Sequence, residues 1–498
     1  MNQLDPSSGI GRRTFLRNNA LLAGLATLGP LHALGRRIAA GGSPSSGTGY
    51  GPLVDKGDLL LPEGFHYQII SWQGKTMSDG NPTPGLFDGM GAFPAIRPSD
   101  APGPRTILIR NHENREAGGE LKVVTPPSLQ YDELANGGNT KLVVERRKTG
   151  QRDPASGTKL YEYEIIKDFA ILGGTSTNCA GGEMAFKKWI TCEEVVKRGS
   201  NGKKHGYIFE IDARSPDPVP AVPILAAGRM VHEATAWRDG ILYETEDRGL
   251  DSDPLLGVIG ACFYRFIPQH EQYRSSNLAF TNGTLQALKL RHEFHANMDS
   301  GRSIGVPYRV GWVNVNEPDH DDDSDNRRDR VPGFTPTRIQ AQDKGAAFFD
   351  RLEGMWARGT GENARIYFDC TTGGPANLGQ VWEYHVGLET ITLIYQSANA
   401  ATLRNPDNVV IVPQTRDIFL CEDGGGTQFI RGLTTEGAIY DFARTNTNQT
   451  EFCGACFDQG GHTLFVNQQG DRGSLPDGPA GARAVTYAIY GPFRERRL

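Results

Sequence analysis

The sequence predicts an all-β fold, a six-bladed β-propeller with loop insertions, and three observations carry that prediction. Past residue 55 there is no sustained helical periodicity; short apolar runs bounded by Gly, Asp, Asn and Pro recur instead. Gly makes up 62 of 498 residues, above the usual share of about 7%, so turns are frequent. Six of the runs also share a layout, each ending in an acid, amide or hydroxyl. They are 106–109 leading to Glu113, 189–192 to Glu194, 241–243 to Asp247, 365–368 to Thr371, 418–421 to Asp423, and 463–466 to Gln469.

Most of these runs follow another short apolar segment that opens on a ligand-type residue: Asp88, Cys179, Glu233, Glu353, Asn408 and Glu451 in chain order. In a hairpin, the start of the first strand returns beside the end of the second, so each opening residue meets its own closing residue. Six such hairpins arranged radially collect these side chains at one mouth of a central channel. Spacing is uneven, with a long gap between Asp247 and Arg351 that requires insertions, and a pair of β-sandwiches is the alternative.

Residues 1–40 read as an address. Gly11, Arg12, Arg13, Thr14, Phe15, Leu16 and Arg17 form a twin-arginine signal, and the apolar run from about Ala20 to Leu34 falls short of the ~20 residues that span a bilayer. Cleavage is expected near 39–42, with a Gly/Ser-rich linker over 41–55 and a catalytic propeller domain over 56–498. The expectation is a periplasmic or secreted monomer that passes through the twin-arginine export machinery, with no stable membrane span.

The stretch 177–194 carries the densest chemistry. Strands over 184–186 and 189–192 about a turn at Lys187 and Lys188 bring Cys179 near Glu193 and Glu194. A soft thiolate beside hard carboxylates suits a transition metal with oxygen-ligated neighbours. The bland counterpart is a buried structural Cys with solvated acids. Further on, 319–326 superficially suits a calcium loop, but Asn326 replaces the turn Gly and Pro332 stands where the closing Glu belongs, so a solvated loop is expected. Residues 340–351 read as a short helix or an extended lead-in to the fourth blade.

Other classes lose their support. A net charge of −6 offers no basic field for nucleic acid. The chain has no Gly-rich dinucleotide fingerprint, no phosphate-binding P-loop and no serine nucleophile elbow. His232-Glu233 lacks the second His of a zinc protease, since Ala236 stands there. Seven Cys in so long a chain do not make a disulfide scaffold, and Cys453 with Cys456 reads as strand packing or one disulfide. What remains is a carboxylate-rich set with one Cys and an Arg, which suits metal-assisted chemistry.

Several strings together resemble the PhoX-type alkaline phosphatases, exported bacterial phosphomonoesterases. They are the twin-arginine start, Asn111-His112-Glu113, TNCAGG with TCEE, GRMVHEATAW at 228–237, Arg351-Leu352-Glu353-Gly354, Pro406-Asp407-Asn408, Cys421-Glu422-Asp423-Gly424, and Glu451-Phe452 with Gly454-Ala455-Cys456-Phe457. The resemblance runs from about residue 60 to the end. It implies a six-bladed propeller whose mouth holds two ferric ions (Fe3+), calcium ions (Ca2+) and a bridging oxo group. By the same resemblance Cys179 is the thiolate ligand to iron, Glu233 and Glu353 are metal-bridging carboxylates, and Arg351 binds phosphate. Glu193 or Glu194 serves calcium or iron, with Glu422 and Glu451 further members of the shell. The run RIYFDCTTGG departs from the Thr-Asn-Asn strand end of longer members, which points to a shorter branch. Two alternatives compete: a calcium-dependent propeller hydrolase of lactonase type, against which the Cys and the Arg351-x-Glu353 pair argue, and a non-catalytic propeller that binds a partner.

Overall fold

The computed structural model describes residues 48–115, 121–269, 282–471 and 483–495. The signal expected over 1–40 and the start of the linker lie outside the described residues. Among those residues no helix is long and apolar enough to cross a membrane.

The architecture is all-β, with the expected hairpins as its units. Six inner strands begin them: β1 (Phe87–Pro94), β2 (Asn178–Met184), β3 (His232–Arg238), β4 (Leu352–Arg358), β5 (Pro406–Ile411) and β6 (Phe452–Phe457). Each packs beside the next, and β6 returns beside β1, so the inner strands close a ring. Glycines permit the close approach: a Cβ on Gly182 would lie 1.9 Å from the Thr235 carbonyl oxygen, and one on Gly354 2.7 Å from the Cα of Asn408.

Outside the ring the sheets are less regular than six equal blades. β1 heads a four-stranded sheet with Arg105–His112, Gly137–Arg152 and Lys159–Thr175. β2 has only Lys188–Glu193 and Ile208–Asp212 beyond it. The units of β3 and β4 fuse into one nine-stranded sheet, because Pro307–Asn314 pairs with Gly283–Leu290 on one edge and Thr390–Gln396 on the other. Beyond Ile439–Thr445, the β5 sheet continues into Leu59–Pro62 and Leu53–Asp55.

The β6 sheet is completed from the other end of the chain: His66–Trp72 pairs with Val485–Tyr490, setting His66 opposite Tyr490 and Trp72 opposite Val485. The end of the expected linker is therefore built into the fold. Leu53–Asp55 is a strand, and Tyr50 is buried against Phe65, with ring centroids 5.1 Å apart.

The apolar core is divided among the spaces between neighbouring units. Ile109, Ile171, Trp189 and Phe209 fill the gap between the β1 and β2 sheets, while Val410, Phe419, Phe442, Leu464 and Ile489 fill the gap between those of β5 and β6. Burying each such side chain contributes about 2 kcal/mol, so the layers are held face to face and the ring is braced from outside.

The hairpin at 177–194 forms, but with its strands over Asn178–Met184 and Lys188–Glu193 and its turn at Ala185–Lys187, so Ala185 and Phe186 belong to the turn and Lys188 to the second strand, one residue earlier than the expected turn. The 319–326 segment is not simply a solvated loop. Asp325 is fully buried, paired with Arg338 and with Arg248 at 2.8 Å, while Arg229 reaches Asp323 at 2.9 Å. A charge run can be an internal latch when arginines from other elements meet it. The short helix ahead of β4 spans Thr337–Gln342 and overlaps the expected 340–351 only at its last residues; the remainder leads irregularly into β4. All seven Cys are buried and none is in a disulfide.

Candidate metal centre and active site

Every inner strand carries a register shift against its hairpin partner near the same end: between Phe87 and Met90, Asn178 and Gly181, His232 and Thr235, Leu352 and Met355, Pro406 and Asn408, and Cys453 and Cys456. A bulge re-aims the side chain beside it. Repeated around the ring, it turns one residue per strand toward a common mouth.

Four groups of donor atoms result, each with its atoms within 4.8 Å of one another: Cys179, Glu194 and Glu233; Glu194, Asp247 and Glu353; Glu233, Glu353 and Asp407; Asp88, Glu451 and Cys453. Glu194, Glu233 and Glu353 each belong to two groups, so three of the four merge into one continuous centre. Of the residues singled out in the sequence, Cys179, Glu194, Glu233 and Glu353 share this centre, and Glu451 lies in the neighbouring group.

Two candidates point elsewhere. Glu193 accepts hydrogen bonds from the amides of Ser176 at 2.9 Å and Gly206 at 2.8 Å, and contacts His205 Nδ1 at 2.7 Å. Adjacent strand residues face opposite sides, so Glu194 reaches the mouth while its neighbour anchors the hairpin from behind. Glu422 accepts from Arg431 Nε at 2.8 Å and from the Arg404 amide at 3.0 Å.

The sequence does not single out Asp88, Asp247, Asp407 and Cys453 as ligands, although the fold brings all four into these groups. Asp88 and Asp247 do appear in the sequence as hairpin-opening and hairpin-closing acids. Asp407 was hidden by the bulge: strand counting favours Asn408, whose side-chain oxygen instead accepts from the Ala455 amide at 3.0 Å. Cys453 donates its thiol to the Phe87 carbonyl at 3.0 Å.

Arg351 sits at the rim, 34% exposed. Its Nε and Nη2 donate to the two carboxylate oxygens of Asp247 at 2.8 and 3.0 Å, and Nη2 lies 2.7 Å from Glu353 Oε1. Nη1 has no hydrogen-bond partner among the described residues. The backbone here is left-handed, φ 52°, which a non-glycine residue adopts at a cost of order 1 kcal/mol.

The electrostatics are those of a site built around cations. Burial first, and then neighbouring acids, pushes Asp88, Glu194, Glu233, Glu353 and Glu451 well above the usual carboxylate range. Asp407 is pushed up to about 7 for the same reasons. Burial, followed by Asp88 and Glu233, drives the Cys179 thiol up as well. Both carboxylate oxygens of Glu233 are buried without a nitrogen or oxygen partner. So many converging acids are strongly unfavourable unless neutralised, and bound cations invert that balance. A thiolate with shared carboxylates suits a transition metal; the all-oxygen groups suit a hard divalent ion. The donors present thus fit a cluster of more than one ion.

A merged set of metal-ligand donors with an arginine at its rim, in the mouth of a β-propeller-like ring, fits the class of metal-dependent enzymes that act on anionic substrates. Residues 48–471 match the family profile described as Alkaline phosphatase PhoX. The chain belongs to this metal-dependent family, and it is a phosphatase.

Among solved structures it is similar to Pseudomonas fluorescens PhoX in complex with vanadate, a transition state analogue, with 16% identity and a TM-score of 0.61 over 89% of this chain and 98% of that one. At this identity the likeness is one of fold. The WD40 β-propeller domain of Doa1 is more distant, with 8% identity and a TM-score of 0.34 over 84% of this chain and 96% of that one. A search of curated protein sequences found no match. Family membership displaces both the lactonase-type and the non-catalytic alternatives.

Proposed function

We propose that the protein is an exported phosphomonoesterase, acting as a monomer, whose six hairpin units form a six-bladed propeller around a centre of iron and calcium. The observation that carries this reading is the sharing of Glu194, Glu233 and Glu353 between donor groups, with the guanidinium of Arg351 beside them.

Cys179, Glu194 and Glu233 would hold the iron end; Asp247, Glu353 and Asp407 would extend the cluster toward calcium. When bound, such ions stabilise negative charge on a transferring phosphoryl group. The chain's own residues then orient the ester. Asp247 and Glu353 hold the Arg351 guanidinium in place, leaving its Nη1 edge to meet a phosphoryl oxygen. Burial of Glu233, Glu353 and Asp407 limits the screening of these charges by bulk water.

The export reading is supported by Arg12 and Arg13 followed by the short apolar run. Changing both to Lys should leave precursor in the cytoplasm.

The decisive experiment pairs elemental analysis with an aryl phosphate assay on the same preparation. Iron and calcium should both be present, and chelation should abolish hydrolysis. Calcium without iron, or a fully loaded protein that cleaves no phosphate ester, refutes the proposal. Arg351→Lys keeps the charge but loses the fork, and should lower kcat/KM by about tenfold or more.

A further inference from the structure

At the opposite end of the inner strands, away from the carboxylates, lies a second cavity, of about 600 Å3. With 6 to 8 residues per strand, roughly 20 Å of backbone separates the two mouths. The far cavity is lined by Lys187, Arg238, Arg358 and Arg416, with Trp356 on its wall. Lys187 belongs to the turn after β2, Arg238 ends β3, Arg358 ends β4, and Arg416 lies in the turn after β5. Four consecutive hairpins therefore each deliver one cation to the same space.

These cations are poorly neutralised. Among the described residues, Lys187, Arg358 and Arg416 have no carboxylate in ion-pair contact. Lys187 donates to the Pro94 carbonyl at 3.2 Å. Arg238 donates to the carbonyls of Trp237, at 2.7 Å, and Ala357, and its Nε–H is buried without a partner. Two acids also face the cavity. Asp458 is paired with Arg146 at 3.3 Å, and Glu183 accepts from the Ala92 amide at 3.0 Å; the charges of Glu183 and Asp239 also act on Arg238, which leaves Lys187, Arg358 and Arg416 as the less compensated cations.

The turns themselves are strained. Phe186 and Lys187 have φ of 61° and 59°, and Arg416 has φ of 69°, conformations that glycine adopts far more cheaply.

We propose that this mouth is a second binding site, separate from the metal centre, for a multivalent oxyanion of the phosphate class. Arginine forks from β4 and the turn after β5 would grip its oxygens, and Trp356 would offer an apolar face to any attached organic group.

The test is equilibrium dialysis of the metal-loaded enzyme against radiolabelled inorganic phosphate at low ionic strength. Two phosphates per chain are expected. Arg358→Gln/Arg416→Gln should weaken one of them by about tenfold or more while leaving aryl phosphate turnover unchanged. Arg416→Gly separates binding from folding: relief of the positive φ should hold or raise the melting temperature while the same phosphate is weakened. Competition by a non-hydrolysable organic phosphonate then distinguishes the sources. Tighter binding than free phosphate assigns the site to a phosphorylated small molecule, and equal or weaker binding assigns it to phosphate itself. One phosphate per chain in the wild type, or two undiminished in the double variant, overturns the proposal.

Discussion

Glu233 shows how one side chain can be unfavourable in the empty fold and essential in the loaded one. Its carboxylate is buried, lacks nitrogen or oxygen partners, and lies among Cys179, Glu194, Glu353 and Asp407. Glu233→Gln removes one of the mutually repelling acids, so the metal-stripped variant should melt at a higher temperature than stripped wild type, while the variant should bind less metal. A stripped variant that melts lower would show that the acids are not held against their own repulsion.

Glu183 gives the pH counterpart away from the metal centre. Burial pushes its carboxyl up to about 7, against the opposing effects of the Ala92 amide and Arg238. The folded state therefore binds this proton more tightly than the unfolded state, whose value lies near 4.5. Its stabilising contribution is full below that value and is lost as pH rises through about 7. Glu183→Gln should flatten the stability curve between these limits and raise stability at pH 8 by at most roughly 3 kcal/mol. Chemical denaturation across that pH range is the measurement, and an unchanged slope would refute the assignment.

At the scale of elements, the bulges and the latch determine the site. Six equivalent register shifts turn side chains toward one mouth, and glycines let the inner strands approach closely enough for their donors to meet. Gly182→Ala would force a methyl group against the Thr235 carbonyl and should cost about 2 kcal/mol or more, with weakened metal binding because β2 and β3 carry Cys179 and Glu233.

The latch acts from outside: Asp325 pairs with Arg248 and Arg338, and the amide of Arg351 donates to the Arg248 carbonyl at 3.0 Å. Asp325→Ala removes the nearest carboxylate from the buried Arg338, leaving it, among the described residues, only Glu246 at 3.7 Å, and should cost about 3 kcal/mol by thermal or chemical unfolding. A neutral result would return the 319–326 segment to the solvated loop that its charge suggests.

At the scale of the whole molecule, the last sheet of the ring is completed from distant parts of the chain, through His66–Trp72 against Val485–Tyr490. Removing residues 48–72 deletes this strand together with Leu59–Pro62, exposing two sheet edges and part of the core between the β5 and β6 sheets. Such a truncation should be insoluble or lose its cooperative unfolding transition, as seen by calorimetry.

The all-β class, the hairpin units and the mouth where their polar ends gather were legible in the sequence, because alternation and turn residues act over a few neighbouring positions. Cys179, Glu194, Glu233 and Glu353 were legible for the same reason, each opening or closing a hairpin. Asp407 in place of Asn408, the inward turn of Glu193, the fusion of two units through Pro307–Asn314 and the burial of Asp325 were not. A bulge moves a side chain to another face without changing composition, and an ion pair spanning many residues depends on where folding brings two segments. Local pattern determined which residues could serve a metal-dependent phosphatase. Long-range packing decided which of them share one cavity.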